Sequence, residues 1–162
     1  MANLFEPEFD AEQDQRGFRW RRSRLGRQAG AERLGASLFE LPPGQAAFPF
    51  HLHLANEELL VVVRGTPTLR TSEGERKLGE GEVVAFPVGE RGAHQIVNRT
   101  PEPVRFLIVS EMNAPEIVVY PDSGKLFARD QPPGGPPVEI GGAFFQGDAV
   151  DYFDGEPEPE PE

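Results

Sequence analysis

The stretch FPFHLHLANEELLVVVRG, residues 48–65, holds two of the three histidines in the 162-residue chain. His51 and His53 stand two apart in an alternating apolar run, with Glu57 and Glu58 just beyond. In an extended strand, residues two apart share a face, with Cα atoms ~6–7 Å apart. The two imidazoles therefore project from one side, and Leu52 and Leu54 from the other. Two imidazoles on an inner face, with a carboxylate nearby, make a mixed nitrogen and oxygen donor set suited to a divalent metal ion. The run ELLVVVR that follows is short, apolar and rich in β-branched residues, which favours a strand over a helix. Apolar side chains on both its faces imply that both are covered.

The flanking sequence has the same character. Seventeen prolines and eighteen glycines punctuate the chain, as expected for many short strands joined by turns. FRWRRSRL and GASLFEL precede the quoted stretch as strands. TPTLRT and ERKL, joined by SEG, read as a hairpin. EVVAFP, AHQIVN, VRFLIVSE and EIVVY supply further strands, and no segment has a persuasive helical period. Strands without helices imply an all-β sandwich or barrel. The third histidine, His94, lies in AHQIVN, so every histidine of the chain sits in or beside an apolar strand.

Composition narrows the function classes. The chain has no cysteine, which removes disulfides, thiolate ligands and thiol nucleophiles. The net charge is −11, and seven acids with no base lie between residues 147 and 162. An acidic body argues against nucleic acid as a partner. The six arginines of RGFRWRRSRLGR are read as a strand with Phe18 and Trp20 on one face and the arginines in solvent. The opening residues lack the apolar core of a signal peptide, and no apolar run approaches the ~20 residues of a membrane helix. A cytoplasmic protein with no membrane contact is the expectation. QPPGGPP, at 131–137, reads as a stiff extended segment. GEPEPEPE, at 155–162, reads as disordered, because its charges repel and it has nothing to bury.

Two ordered motifs resemble those of the cupin superfamily, of the small single-domain kind. GQAAFPFHLHLANEELLVVVRG, residues 44–65, is similar to the first cupin motif: glycine, His-x-His, a glutamate and a closing glycine. GEVVAFPVGERGAHQIVN, residues 81–98, is similar to the second, with Pro-x-Gly, then His and Asn. The resemblance covers about residues 34–111. It implies a double-stranded β-helix barrel, often dimeric, and hence a homodimer. It also implies one divalent metal ion (manganese, iron, nickel or zinc) held by His51, His53, Glu58 and His94. Glu58 is preferred to Glu57 by its distance from Gly65, and Asn98 takes a turn-forming role. ERGA, between Gly89 and His94, is longer than the usual gap. A one-residue slip there would turn His94 outward.

The expected organisation is a flexible lead-in at 1–17, a barrel at 18–126 and a partly disordered tail at 127–162. A three-histidine, one-glutamate site leaves room for a small oxygenated ligand resembling a sugar, a keto acid or a hydroxy acid. The resemblance admits a metal-dependent isomerase or a dioxygenase, and equally a cupin that binds a metabolite, or serves structurally, without turnover.

Overall fold

A computed structural model describes residues 1–133 and 139–157. In chain order the strands are β1 (Ala11–Gln15), β2 (Phe18–Ser23), β3 (Leu34–Leu41), β4 (Leu52–His53), β5 (Glu58–Arg64), β6 (Thr68–Thr71) and β7 (Gly74–Lys77). They continue as β8 (Val83–Phe86), β9 (Gln95–Val97), β10 (Val104–Glu111), β11 (Glu116–Tyr120), β12 (Lys125–Arg129) and β13 (Gly141–Phe145). One turn of helix, α1 (Leu25–Gln28), follows β2.

Every strand pairing is antiparallel. The sheets run β1-β2-β3-β10-β5-β8, β13-β12-β11-β4 and β7-β6-β9. Isolated bridges between His51 and His94, and between Ala46 and Val97, tie the quoted stretch to the third sheet. The architecture is the double-stranded β-helix implied by the two motifs.

The core follows from the period of two. In β5, Leu60 and Val62 are buried, and Glu58 shares their face. In β10, Val104 and Phe106 are buried on the face opposite Arg105. Phe39 stacks on Phe106 with ring centroids 5.5 Å apart, and Trp20 meets Phe39 edge-on at 5.6 Å. Each large side chain taken fully out of water contributes ~1.5–3 kcal/mol. Gly65 closes β5 at φ +80°, and a Cβ there would lie 2.9 Å from Val104. Only glycine satisfies both conditions without strain.

Four expectations need correction. The lead-in expected to be flexible over 1–17 contains a strand, because Ala11–Gln15 pairs with β2 across a turn in which Arg16 and Gly17 both have positive φ. That geometry matches the twist of a two-residue hairpin. The arginines of β2 do not all point to solvent: Arg22 shares the parity of Phe18 and Trp20 and is half-buried. The outer face of β5 is not closed within the chain, as Leu59 is 37% exposed. A tail boundary at 127 would cut through β12, which pairs residue for residue with β11 on one side and β13 on the other. Within the segments expected to be extended or disordered, residues 134–137 and 158–162 lie outside the described residues. No helix among the described residues is long and apolar enough to cross a membrane.

Candidate metal centre

Three pieces of chain converge inside the barrel. The antiparallel bridge places His51 N 3.1 Å from His94 O and His94 N 2.8 Å from His51 O. The imidazoles follow, with ring centroids 4.6 Å apart. His53 opens its own exchange with β11, opposite Val118, and its ring centroid lies 5.1 Å from that of His51. Glu58 enters from the first residue of β5, where pairing with Phe86 and Ser110 fixes its direction.

Donor atoms of His51, His53 and Glu58 all lie within 4.8 Å of one another. The Nε2 atoms of His53 and His94 are each 3.5 Å from Glu58 Oε2. Ligands ~2.1 Å from a common ion stand ~3.0–3.4 Å apart along the edges of its coordination polyhedron. The two 3.5 Å contacts of Glu58 lie close to that spacing, and His94 joins the group through its contact with Glu58. Glu57 is exposed and lies outside the group.

Hydrogen bonds orient the rings. Nδ1 of His51 lies 2.8 Å from the Pro49 carbonyl, and Nδ1 of His94 lies 2.8 Å from the Gly92 carbonyl. A carbonyl only accepts, so Nδ1 carries the proton in each neutral ring and Nε2 keeps its lone pair for a metal. The extra residues of ERGA wind into a 3-10 turn, Glu90–Gly92. This turn absorbs the added length, and His94 remains buried, stacked on Phe86 at 3.7 Å. A Cβ on Gly92 would fall 1.8 Å from the Pro87 carbonyl oxygen, so the turn requires glycine.

Burial lowers the His51 pKa to about 4, helped by the charge of His53. Burial, then His51, hold His94 well below the ordinary histidine range. Both rings are neutral at pH 7, as metal ligation requires. Burial opposes protonation of His53, but Glu116 and Glu58 outweigh it and raise its pKa. Burial raises the Glu58 carboxyl, with His53 opposing.

Glu116 escaped the sequence reading. It is fully buried, and its carboxylate stands 3.5 Å from His53 Nδ1. At that separation the contact is a charge pair rather than a formed hydrogen bond. Glu116 also accepts from the backbone N–H groups of Leu54 and Ala55 and from the Asn56 amide. It thus ties the LANE turn to β11. Asn98 is structural, donating to the Leu41 and Glu102 carbonyls and accepting from Thr100.

The four side chains line a cavity of about 870 Å³ between the sheets, open to solvent, which also reaches Tyr120, Arg22 and Arg129. Burial raises the Tyr120 pKa, so the phenol is neutral. Its ring lies 6.1 Å from that of His51.

With this geometry in place, comparison with known proteins becomes informative. The Cupin_2 family, described as Cupin domain, matches residues 37–110. Those residues form a cupin domain. They contain all four gathered side chains. No curated protein matches the chain. Among solved structures, a sugar phosphate isomerase from the cupin superfamily of Silicibacter pomeroyi is 26% identical. That match covers 95% of this chain and 98% of the other, with a TM-score of 0.77. A structure from Acidithiobacillus ferrooxidans, 24% identical over 83% of this chain and 81% of its own, superposes at 0.74 and supports the fold. The polyketide cyclase RemF from Streptomyces resistomycificus is 27% identical over 57% of this chain and 64% of its own, at 0.50. Neighbours of similar fold are thus described by different activities, and function has to be argued from the site.

Proposed function

We propose that this cupin domain binds one divalent metal ion through His51, His53, Glu58 and His94 and isomerises a small hydroxy-carbonyl metabolite. The observation that carries the reading is the gathering of His51, His53 and Glu58, with His94 Nε2 3.5 Å from the same Glu58 oxygen that His53 Nε2 meets, and with two Nε2 lone pairs presented by hydrogen-bonded rings. Such a donor set leaves coordination positions free for substrate oxygens. When bound, the ion supplies Lewis acidity to a substrate carbonyl.

The chain's own groups do the rest. Pro49 and Gly92 fix the tautomers of two ligands, and Glu116 stands behind the ring of the third, His53. Glu58, made more basic by burial of its carboxyl, takes the proton from the carbon next to the carbonyl and returns it to the neighbouring carbon. Tyr120, a neutral phenol lining the same cavity, donates to the carbonyl oxygen and recovers its proton. The apolar wall formed by Phe39, Phe48 and Phe106 limits water around the reacting carbon. Isomerisation is favoured over oxygen chemistry because the Silicibacter pomeroyi relative matches nearly end to end and is described as a sugar phosphate isomerase.

The test is proton exchange. Dihydroxyacetone and related hydroxy-ketones are incubated with the metal-loaded protein in deuterated water and followed by NMR. The expected result is deuterium appearing next to the carbonyl, abolished by chelation and by Glu58→Gln. Binding of these compounds without exchange would assign the protein a storage or sensing role instead.

A further inference from the structure

Half of the fourteen arginines in this acidic chain hold a carboxylate among the described residues, five of the rest are exposed, and two remain half-buried on the cavity wall. Arg19, Arg21, Arg24, Arg70, Arg76, Arg99 and Arg105 each hold a carboxylate. Arg22 and Arg129 are half-buried and line the metal-site cavity. Among the described residues neither has a hydrogen-bond or ion-pair partner, and the Nε of each is buried and unsatisfied.

The nearby carboxylates are committed elsewhere. Asp10, whose charge acts on Arg22, accepts from Arg24 Nε at 3.1 Å. Glu116 and Asp130, whose charges act on Arg129, are engaged in other bonds. Glu116 accepts from Leu54, Ala55 and Asn56, and Asp130 accepts from the Glu139 and Ile140 N–H groups. Each guanidinium instead lies near an aromatic ring: Arg22 is 5.4 Å from Trp20 and Arg129 is 6.0 Å from Phe127. A ring face can steady the cation, but it leaves the in-plane N–H donors unmet. Unpaired buried cations are unfavourable unless something binds them. Burial accordingly lowers the pKa of both guanidinium groups.

We infer that Arg22, from β2, and Arg129, from β12, supply the counter-charge for an oxyanion group on the substrate, so that the cavity selects an anionic metabolite over its neutral analogue. A guanidinium presents N–H donors in a planar fork that matches phosphate and carboxylate alike. The inference deepens the proposed function and rests on it for the other end of the substrate, the hydroxy-carbonyl group. It also supplies the cationic cluster that the linear sequence does not display, since the two residues are far apart along the chain and belong to different sheets.

Calorimetry on the full-length, metal-loaded protein tests it with three probes that share a hydroxy-ketone head. Dihydroxyacetone phosphate carries a phosphate, hydroxypyruvate a carboxylate, and dihydroxyacetone no charge. One or both anionic probes should bind at least about ten-fold more tightly than the neutral one, and which of them does so identifies the oxyanion. Arg22→Met and Arg129→Met should each weaken that probe ~10–100-fold. They should leave dihydroxyacetone affinity and metal content unchanged and keep or raise Tm. Lysine at either position should retain part of the anion affinity. Equal binding of charged and neutral probes, or a lower Tm with unchanged anion affinity, would overturn the inference.

Inorganic phosphate titrated into chelator-treated protein separates this inference from the metal reading. Binding that depends on the two arginines without metal upholds the anion site even if the metal site fails. Phosphate binding that is absent, or independent of the two arginines, while the untreated protein holds stoichiometric metal, overturns the anion site alone.

Discussion

His53 and Glu116 face each other across two paired strands, with the imidazole Nδ1 3.5 Å from a fully buried carboxylate. Their residues are 63 positions apart in sequence, and the antiparallel pairing of β4 with β11 brings them together. A carboxylate behind a metal-ligating histidine makes it a stronger donor and fixes its orientation. Glu116→Gln should therefore weaken metal affinity ~10–100-fold, measured by competition with a chromophoric chelator. Glu116→Ala should in addition lower stability by roughly 3 kcal/mol, because it removes the acceptor of the Ala55 N–H and of the buried Asn56 amide. Denaturant titration reads that loss.

The two adjacent glutamates should behave differently. Glu58→Gln removes the only carboxylate among the described residues within reach of both His53 and His94, and metal content should collapse. Glu57→Gln changes an exposed side chain and should leave metal content and stability unchanged. Parallel elemental analysis of the two variants checks both outcomes.

Proton linkage supplies a prediction for the metal-free protein. The fold holds His51 neutral down to about pH 4, whereas an unfolded histidine takes up a proton near pH 6.5. The unfolded chain therefore binds the extra proton between these values, and stability falls as pH drops through that window. His94 acts in the same direction. His53, with a raised pKa, contributes stability below pH 6.5 that is lost as pH rises through its folded value. The raised pKa of Glu58 likewise favours the fold at low pH, with a contribution lost as pH climbs above the ordinary carboxyl range. His51→Leu isolates one contribution: relative to the parent, its stability should gain roughly 3 kcal/mol between pH 6.5 and 4. Chemical denaturation across that range, in the presence of a chelator, measures the difference.

Two further substitutions separate positioning from chemistry. Gly92→Ala drives a methyl group into the Pro87 carbonyl and should destabilise the chain by roughly 3 kcal/mol, with loss of metal as His94 shifts. Tyr120→Phe keeps the ring beside His51 and should retain metal. It should slow proton exchange into hydroxy-ketones by ~10²-fold. A normal exchange rate in Tyr120→Phe would remove the phenol from the chemistry.

The histidine pair was legible because a strand's period of two leaves His51 and His53 no choice but one face. His94 required the fold, since its inward direction depends on how a 3-10 turn takes up the length of ERGA. Glu58 was separated from Glu57 only through the family resemblance; in the structure, β5 pairing places it with Leu60 and Val62. Glu116 carried no local signal, because its partner lies on a strand that only the barrel closure brings near. Arg22 was within reach, for it shares the parity of Phe18 and Trp20, but a run of six arginines hid the one that points inward. The strand Ala11–Gln15 was concealed by its polar composition. Arg16-Gly17, a turn pair next to an aromatic strand, was the available sign.

Metal content tests the centre most directly. Protein purified without added metal is compared by elemental analysis with His51→Ala prepared in the same way, both checked for folding by circular dichroism. The wild-type chain should carry about one equivalent of a single divalent transition metal per molecule, and the folded variant should carry almost none. A wild-type chain that neither retains nor takes up such an ion, or a variant that holds it equally well, would contradict a shared centre at His51, His53, Glu58 and His94.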